Sequence, residues 1–188
     1  MCDCKSRILQ PVTEDVKVFE DVLSPFESAL VAGKSVFGAI PIKCFFRGAG
    51  TVTELLGFEL MERCNAGGTL LKLPVKFVLL GYNGYSVAAG EAYAATNATE
   101  EANPILSIDK LTALEYEELG SQIALGFKQA RPGTFVKNPK VFTAPEIEAG
   151  GNTTVYLHIL ANGSGTYSAG EFAYDARIRV KYRRYDHC

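Results

Sequence analysis

The stretch "FAYDARIRVKYRRY", residues 172–185, alternates basic and apolar side chains through its second half. Successive side chains of a β-strand point to opposite faces of a sheet, so this two-residue period predicts a strand. Its apolar residues, Ile178, Val180 and Tyr182, would then share one face. Its five basic residues are Arg177, Arg179, Lys181, Arg183 and Arg184. Most of these would share the other face. A solvated outer face of the last strand is the favoured interpretation, and a surface for an anionic partner is the alternative.

Short apolar or alternating runs separated by Gly, Asn, Pro and Ser recur along the rest of the chain, which is typical of an all-β domain. Eight runs are predicted strands: residues 15–23, 36–46, 51–62, 70–82, 121–127, 134–142, 153–161 and 172–185. Eight strands suit two packed sheets. The predicted organisation is a flexible N-terminal arm over residues 1–14 and one β-sandwich domain over residues 15–188.

One short helix is predicted in "SIDKLTALEYEELG", residues 107–120. Thr112 and Glu115 have the spacing of a capping box, and Gly120 is placed to end the helix. Three leucines recur at near-helical spacing: Leu111, Leu114 and Leu119. We expect this helix to cross one end of the sandwich, after an extended loop over residues 84–103.

The charge balance excludes one large class of partners. The chain has 188 residues, with 19 Lys plus Arg, 21 Asp plus Glu and a formal net charge of −2. No broad positive field is therefore available to a nucleic-acid backbone, and nucleic-acid binding is not expected. The N-terminal sequence has no apolar run of signal-peptide length, and later apolar runs are too short for a membrane span. We expect no membrane partner and no classical secretion.

A phosphate-binding loop is suggested by Gly33-Lys34-Ser35 in "LVAGKSVFGAI", residues 30–40. That motif needs an earlier glycine, at the position of Ser28, and a helix after the loop. Residues 36–46 are instead rich in β-branched and aromatic side chains and are interrupted by a proline. The motif is interpreted as a turn that precedes a strand.

No catalytic group stands out among the remaining candidates. His158 alternates with apolar residues along a predicted strand and is interpreted as a sheet-facing or core imidazole. His187 lies beside the chain end, where rigid positioning is not expected. A glycosidase needs two acids that face each other across a cleft. The clustered carboxylates of this chain are instead sequence neighbours: Glu100 and Glu101, and Glu115, Glu117 and Glu118. We therefore predict no enzyme and no cofactor.

The placement of the five cysteines is more informative. Cys44 and Cys64 lie in or beside predicted strands and are interpreted as small buried apolar residues, with further thiols for cross-linking as the alternative. Cys2, Cys4 and Cys188 lie at the chain ends, where they are poorly placed for a core and well placed to reach another subunit. Because an odd number leaves at least one thiol free or paired between chains, these three are predicted intermolecular disulfide partners in an oxidising environment.

Zinc is the alternative for the terminal cysteines. Cys2 and Cys4, together with His187 and Cys188, could supply ligands to a metal ion. The paired Cys-x-x-Cys spacing of common structural zinc sites does not occur in the sequence. No metal site is therefore predicted.

The order of several phrases resembles the capsid decoration or cement proteins, the auxiliary head proteins, of tailed bacteriophages. The phrases are "VFGAIP" after a Gly-Lys turn, "LLKLPVKFVLLGYN", "NPILSIDKLTAL" and "TTVYLHILANGSGTYSAGEFAYDARIRVKYR". The resemblance implies a jelly-roll-like β-sandwich, usually trimeric, that binds the major capsid protein on the outside of the head. Such a protein is made in the bacterial host cytoplasm and stabilises the shell without catalysis. The cysteine-bearing ends depart from the family pattern and leave open whether cross-links supplement or replace packing contacts.

Two other functions remain open. A carbohydrate- or receptor-binding module of a phage tail fibre or spike would use loop aromatics for stacking, with Tyr82, Tyr85 and Tyr93 as candidates. Packing within hairpins is the competing interpretation of those tyrosines. An enzyme on a cupin-like scaffold is disfavoured, because such a site needs several histidines on neighbouring strands and only His158 is available.

Overall fold

The computed structural model describes residues 15–23, 29–46, 52–64, 68–81, 87–94, 105–129, 141–143, 154–166 and 176–185. The predicted N-terminal arm, residues 1–14, lies outside this part of the chain. In order, the strands are β1 (Asp15–Leu23), β2 (Ala29–Leu30), β3 (Ile40–Ile42), β4 (Val52–Arg63), β5 (Val75–Gly81) and β6 (Ile105–Leu111). They continue with β7 (Tyr116–Glu118), β8 (Ile123–Gln129), β9 (Val141–Thr143), β10 (Val155–Ala161), β11 (Gly165–Thr166) and β12 (Ala176–Tyr185).

The first sheet, called sheet 1, has the order β1-β12-β4-β8-β7, with β9 pairing beside the start of β4. Within this sheet, the long strand β12 lies between β1 and β4. It pairs antiparallel with β1 from Asp15 opposite Arg184 to Leu23 opposite Ala176. On its other side it pairs antiparallel with β4, with a register shift between Lys181 and Tyr182. The alternating stretch predicted from the sequence is therefore an interior strand.

The second sheet, sheet 2, has the order β3-β10-β5-β6, and all its pairs are antiparallel. A separate two-stranded ribbon joins β2 to β11. Beyond β3, Ser35 forms an isolated bridge with Leu160, so the chain before β3 follows β10 further. Strand β10 is therefore an interior strand of sheet 2, as β12 is of sheet 1.

The order of the strands is that of a jelly roll. Eight main strands are β1, β3, β4, β5, β6, β8, β10 and β12. In this count, sheet 1 contains strands first, eighth, third and sixth, and sheet 2 contains second, seventh, fourth and fifth. Among these eight strands, every connection except the one from β5 to β6 crosses from one sheet to the other. The predicted all-β, jelly-roll-like sandwich is confirmed at the level of strand pairing.

The core lies between the inward faces of the two sheets. Along β10, Val155, Leu157 and Ile159 are fully buried on the inward face, as period-two alternation requires. Across the core, the rings of Phe58 on β4 and Phe77 on β5 stack with centroids 4.8 Å apart and planes 5° apart. These contacts join sheet 1 to sheet 2 in one apolar cluster.

Several predicted strands are confirmed and others are shorter. The runs 15–23 and 51–62 correspond closely to β1 and β4. Within 36–46 only Ile40–Ile42 forms a named strand. Most of 134–142 lies outside the described residues. The turn predicted before the second run is confirmed, because Lys34 N–H donates to Val31 O at 3.1 Å and Gly33 has a φ of +90°.

The predicted helix over residues 107–120 is wrong. Its first part belongs to β6 and its end to β7, and only Ala113–Glu115 forms a single 3-10 turn. Leu111 is fully buried, whereas Leu114 and Leu119 are 96% and 56% exposed, so the leucines do not share a face. The pairing of β6 with β5 outweighs the local helical spacing. In the described part of the chain, no helix is long and apolar enough to cross a membrane.

Candidate interaction surfaces

The outer face of sheet 1 carries a row of ion pairs centred on β12, called here the charged ladder. Its cations come from β12 and its carboxylates from β1 and β4: Arg177, Arg179, Lys181, Arg183, Glu20, Glu54 and Glu59. Arg179 Nε donates to Glu20 at 2.6 Å, and its Nη1 donates to Glu59 at 2.8 Å. Lys181 Nζ lies 2.9 Å from the second oxygen of Glu59. Both oxygens of this carboxylate are therefore engaged by cations.

The ladder holds its groups in their charged forms. Burial by itself raises the pKa of Glu59, but hydrogen bonds from Lys181 and Arg179 outweigh it, so the pKa lies below its ordinary value. Hydrogen bonds to Glu20 and Glu59 raise the pKa of Arg179 above its ordinary value. Shared partners make this a network of coupled pairs, which stabilises more than isolated surface pairs do.

The ladder is close to electrically neutral. Its four cations face three carboxylates, so the balance is one positive charge. Such a row concentrates little positive potential, which supports the interpretation as a solvated outer face over that of a site for an anionic partner. The sequence identified the cations by their alternation. It could not identify their carboxylates, because these lie on strands that are distant in the chain.

Exposed apolar side chains flank the charged ladder. Val18 on β1 is 51% exposed and Phe127 on β8 is 47% exposed. Lys181 Nζ lies 5.4 Å from the ring centroid of Phe127, within reach of a cation–π contact. The outer face of sheet 1 thus combines neutralised charge with apolar groups, which suits contact with a protein better than contact with a polyanion.

The outer face of sheet 2 is covered by the chain itself. Val78, Leu80 and Leu160 form a small apolar cluster there, separate from the main core, and Tyr93 packs against it. Residues 87–94, called the cover segment, are held to the strand-like chain before β3 by main-chain hydrogen bonds. Ser35 N–H donates to Glu91 O at 2.8 Å, and Tyr93 N–H donates to Gly33 O at 3.0 Å.

His158 lies beneath the cover segment. It is fully buried on the outward face of β10, and its ring centroid lies 5.5 Å from that of Tyr93 with planes inclined by 64°. This arrangement agrees with the predicted sheet-facing imidazole. The described ranges contain no second histidine that could act with it. Tyr93 is occupied by packing, so its interpretation as an open stacking platform for sugars loses support. Tyr82 and Tyr85 lie outside the described residues.

A buried carboxylate that the sequence did not single out organises one end of the sandwich. Glu62 at the end of β4 is 2% exposed and accepts hydrogen bonds from Lys72 N–H at 2.8 Å and Leu73 N–H at 3.3 Å. Tyr116 Oη donates to Leu73 O at 2.8 Å. Burial, and secondarily the charge of Glu62, raise the pKa of Tyr116. The contacts fix the approach to β5.

The cysteines fall into three groups. Cys64 is buried, as predicted, and its thiol donates a hydrogen bond to Ser121 O at 3.7 Å. Burial, followed by the charge of Glu62, raises the pKa of this thiol. For Cys44 that interpretation is wrong, because its free thiol is exposed in a turn with a φ of +55°. The turn after β3 directs this side chain outward. The predicted cross-linking residues lie outside the described part: Cys2, Cys4 and Cys188.

The other predicted candidates do not converge on a site. Glu115 receives a hydrogen bond from Lys128 Nζ, whereas Glu117 and Glu118 are exposed on β7. Glu100, Glu101 and His187 lie outside the described residues. Within the described ranges, no group of three or more His, Cys, Asp or Glu is arranged to hold a metal ion. The outer surfaces of the sheets are therefore the features with the most defined geometry.

Comparisons with known proteins give distant likenesses. No family model and no curated protein matches this chain. A chain of Desmodium yellow mottle tymovirus is 11% identical, with coverage of 98% of this chain and 96% of that chain and a TM-score of 0.28. A chain from the semi-empty VLP of giant freshwater prawn Macrobrachium rosenbergii nodavirus is 6% identical, with coverage of 98% and 90% and a TM-score of 0.30. The fold class rests on the strand pairing described above.

Proposed function

We propose that this chain is a structural virion protein that decorates or cements the capsid of a tailed bacteriophage. It acts as a homo-oligomer, a trimer, that binds the major capsid protein at the outer surface of the head and stabilises the shell without catalysis. The protein is made in the bacterial host cytoplasm. The observation that carries the proposal is the jelly-roll order of the two sheets, taken with the sequence phrases that resemble the auxiliary head proteins.

The fold narrows the choice of function to a few classes. Jelly rolls serve as viral capsid domains, lectin domains and cupin enzymes. A fold alone does not assign a function, so the side chains decide between these classes. A cupin needs several metal-ligating side chains inside its barrel, but His158 lies on the outward face of sheet 2 under Tyr93. This placement favours a role without a metal.

The outer surfaces favour a packing role over sugar binding. Tyr93, a candidate stacking residue of the lectin-like alternative, packs on an apolar cluster. The charged ladder is nearly neutral and has exposed apolar neighbours, Val18 and Phe127. Such a face can lie against another protein without a large electrostatic penalty. In a shell, many repeated contacts of modest strength add up through avidity.

The proposal is tested by reconstitution on particles. Purified protein is added to phage heads that lack it, and bound protein is quantified by mass spectrometry against the major capsid protein. We expect a fixed stoichiometry, saturation, and greater resistance of the heads to osmotic rupture. Bovine serum albumin at the same concentration is the control. Absence of saturable binding, with binding of the isolated protein to a glycan array, would contradict the proposal and favour the receptor-binding alternative.

The proposal includes covalent cross-links through Cys2, Cys4 and Cys188. Mature particles are analysed by non-reducing electrophoresis, and a variant with these three residues changed to serine is compared with Cys64→Ser. The buried thiol of Cys64 cannot reach a neighbour, so its variant should retain the cross-linked bands. The triple variant should lose them. Monomer bands alone from wild-type particles would exclude the cross-links and leave the packing role intact.

A further inference from the structure

Exposed apolar side chains concentrate on one side of the sandwich. Strand β6 is an edge of sheet 2 and β7 is an edge of sheet 1, and the short 3-10 turn joins them, so both edges lie on the same side. This side, residues 108–119, is called here the joining edge. Six large apolar side chains are exposed in the described ranges, and three of them lie on the joining edge: Ile108, Leu114 and Leu119. Such a concentration indicates a surface that another protein covers.

The most exposed of these side chains, Leu114, lies on a turn that is held in place. Leu114 is 96% exposed at the centre of the 3-10 turn. The turn is fixed by Glu115, which accepts a hydrogen bond from Thr112 N–H at 2.7 Å and another from Lys128 Nζ. An apolar side chain on a fixed turn can be buried by a partner with little further loss of conformational entropy. Leu114 is therefore suited to anchor a contact.

The outward face of sheet 2 carries two lysines at the joining edge. Lys76 on β5 lies directly opposite Lys110 on β6. Both alternate with fully buried core residues, Phe77 and Leu111, so their side chains are turned away from the core. Like charges directly opposite each other on antiparallel strands are destabilising. In the described ranges no carboxylate pairs with either lysine, so a carboxylate from a partner would relieve this repulsion.

The outward face of sheet 1 carries the complementary charge at the same edge. Glu117 on β7 is exposed, and it follows the core residue Tyr116, so its side chain is turned away from the core. Its neighbours Glu115 and Glu118 form ion pairs with lysines of this chain. Glu117 has no such cation in the part of the chain that the structure describes. The joining edge thus has unpaired bases on one face, an unpaired acid on the other and apolar groups between them.

We propose that the joining edge is a contact between copies of this chain, in which Glu117 of one copy binds between Lys76 and Lys110 of the next. The two patches differ, so the contact is heterologous, and heterologous contacts close into rings when the rotation permits. Because the patches lie on opposite faces of one side, three copies with that side toward a common axis bring them together. Leu114 of each copy then lies near the axis. In the charged ladder, the carboxylate of Glu59 is likewise engaged by two cations.

The inference deepens the proposed function and rests on it for the number of copies, because the trimer is part of that function. It adds the residues through which the copies meet. Burial of the joining edge at the centre of the ring leaves capsid binding to other surfaces, such as the outer face of sheet 1 around Val18. Trimer formation and capsid binding can therefore fail separately.

The test uses charge reversal. Self-association of the full chain is followed by sedimentation velocity over a range of concentrations in reducing buffer, so that thiols do not contribute. Wild type should form a trimer that weakens as the salt concentration rises. Glu117→Lys and Lys110→Glu each alter every contact of the ring, so each should weaken trimer formation about tenfold or more. Lys43→Glu, an exposed charge reversal beside β3 at the opposite edge of sheet 2, is the matched control and should behave as wild type.

Two variants separate a lost contact from a damaged fold. Lys110→Glu places an acid opposite Lys76, so it removes a repulsion within the sheet and should not lower the stability of the single chain. The triple variant Lys76→Glu, Lys110→Glu and Glu117→Lys exchanges the charges of both patches and should associate as wild type does. Wild type that forms no trimer, single variants that associate normally, or a triple variant that stays dissociated would each overturn the contact. Saturable binding to heads by a dissociated variant would leave the proposed function standing, and a trimer that binds no heads would leave the contact standing.

Discussion

Gly126 occupies a place in β8 where a larger side chain meets the core. A Cβ atom there would lie 2.4 Å from Leu111 Cδ2 and 3.0 Å from Tyr116 Cε1. Alanine is ordinarily better than glycine within a strand, by roughly 0.5–1 kcal/mol. The overlap reverses that preference, and we expect Gly126→Ala to lower the free energy of unfolding by about 1–3 kcal/mol in urea titrations. Gly38→Ala, whose Cβ would meet only Val87 O at 3.9 Å, should be nearly neutral. Equal losses in the two variants would contradict the packing account.

Glu62 shows how one buried carboxylate can hold a chain segment. Its two oxygens accept the N–H groups of Lys72 and Leu73, which have no strand partner before β5 begins. Glu62→Gln keeps the shape but exchanges one acceptor for a donor, so one of these N–H groups loses its partner. We expect a loss of about 1–3 kcal/mol in the free energy of unfolding. The same change at the exposed Glu117 should stay within about 0.5 kcal/mol of wild type. Comparable stability of both variants would mean that Glu62 contributes no net support.

At the scale of an element, the 3-10 turn depends on the ionised carboxylate of Glu115. A hydrogen bond from Lys128, followed by one from Thr112 N–H, lowers the pKa of Glu115 from 4.5 to about 2. A lowered folded-state pKa contributes stability that is fully present above about pH 4.5 and is lost as the pH falls toward about 2. The difference in unfolding free energy between wild type and Glu115→Gln should therefore shrink across this window in acid titrations. Lys128→Met removes the main cause of the lowered pKa, so Glu115→Gln made in that background should show a weaker pH dependence. A difference that is constant down to pH 2 would contradict this prediction.

The elements also show what local sequence can specify. Period-two alternation located β12 and β10, because burial of one face of a strand repeats every second residue whatever its neighbours are. The capping pair Thr112 and Glu115 was also identified, and their side chains do interact: Thr112 N–H donates to Glu115 at 2.7 Å. The error was to predict a helix over residues 107–120, since β6 before the turn pairs with β5 and β7 after it pairs with β8. Such pairing is set by distant segments, so local spacing could not predict it. For the same reason, the partners of the charged ladder were not predictable.

At the scale of the molecule, the chain builds two apolar clusters of unequal size. The main core lies between the sheets, and the small one lies between sheet 2 and the cover segment. The sequence predicted one sandwich but not the second cluster, because residues of the cover segment fell within a stretch predicted as an extended loop. Residues 87–94 cover the outer face of sheet 2 through contacts that link it to the chain before β3. Only one broad face, that of sheet 1, is left without such a cover among the described residues.

The two clusters should respond to mutation independently. Phe58 and Phe77 stack at 4.8 Å across the main core, so Phe58→Leu and Phe77→Leu should be coupled by about 0.5–1.5 kcal/mol in a double-mutant cycle of unfolding free energies. Tyr93 packs against the small cluster, and Phe58→Leu combined with Tyr93→Leu should be additive within about 0.5 kcal/mol. The matched cycle distinguishes a direct contact from a general softening of the fold. Equal coupling in both cycles would mean that the cover segment and the inter-sheet core form one cooperative packing unit, contrary to the separation of their contacts. Additivity in both would mean that the stacked rings add nothing beyond the area each one buries.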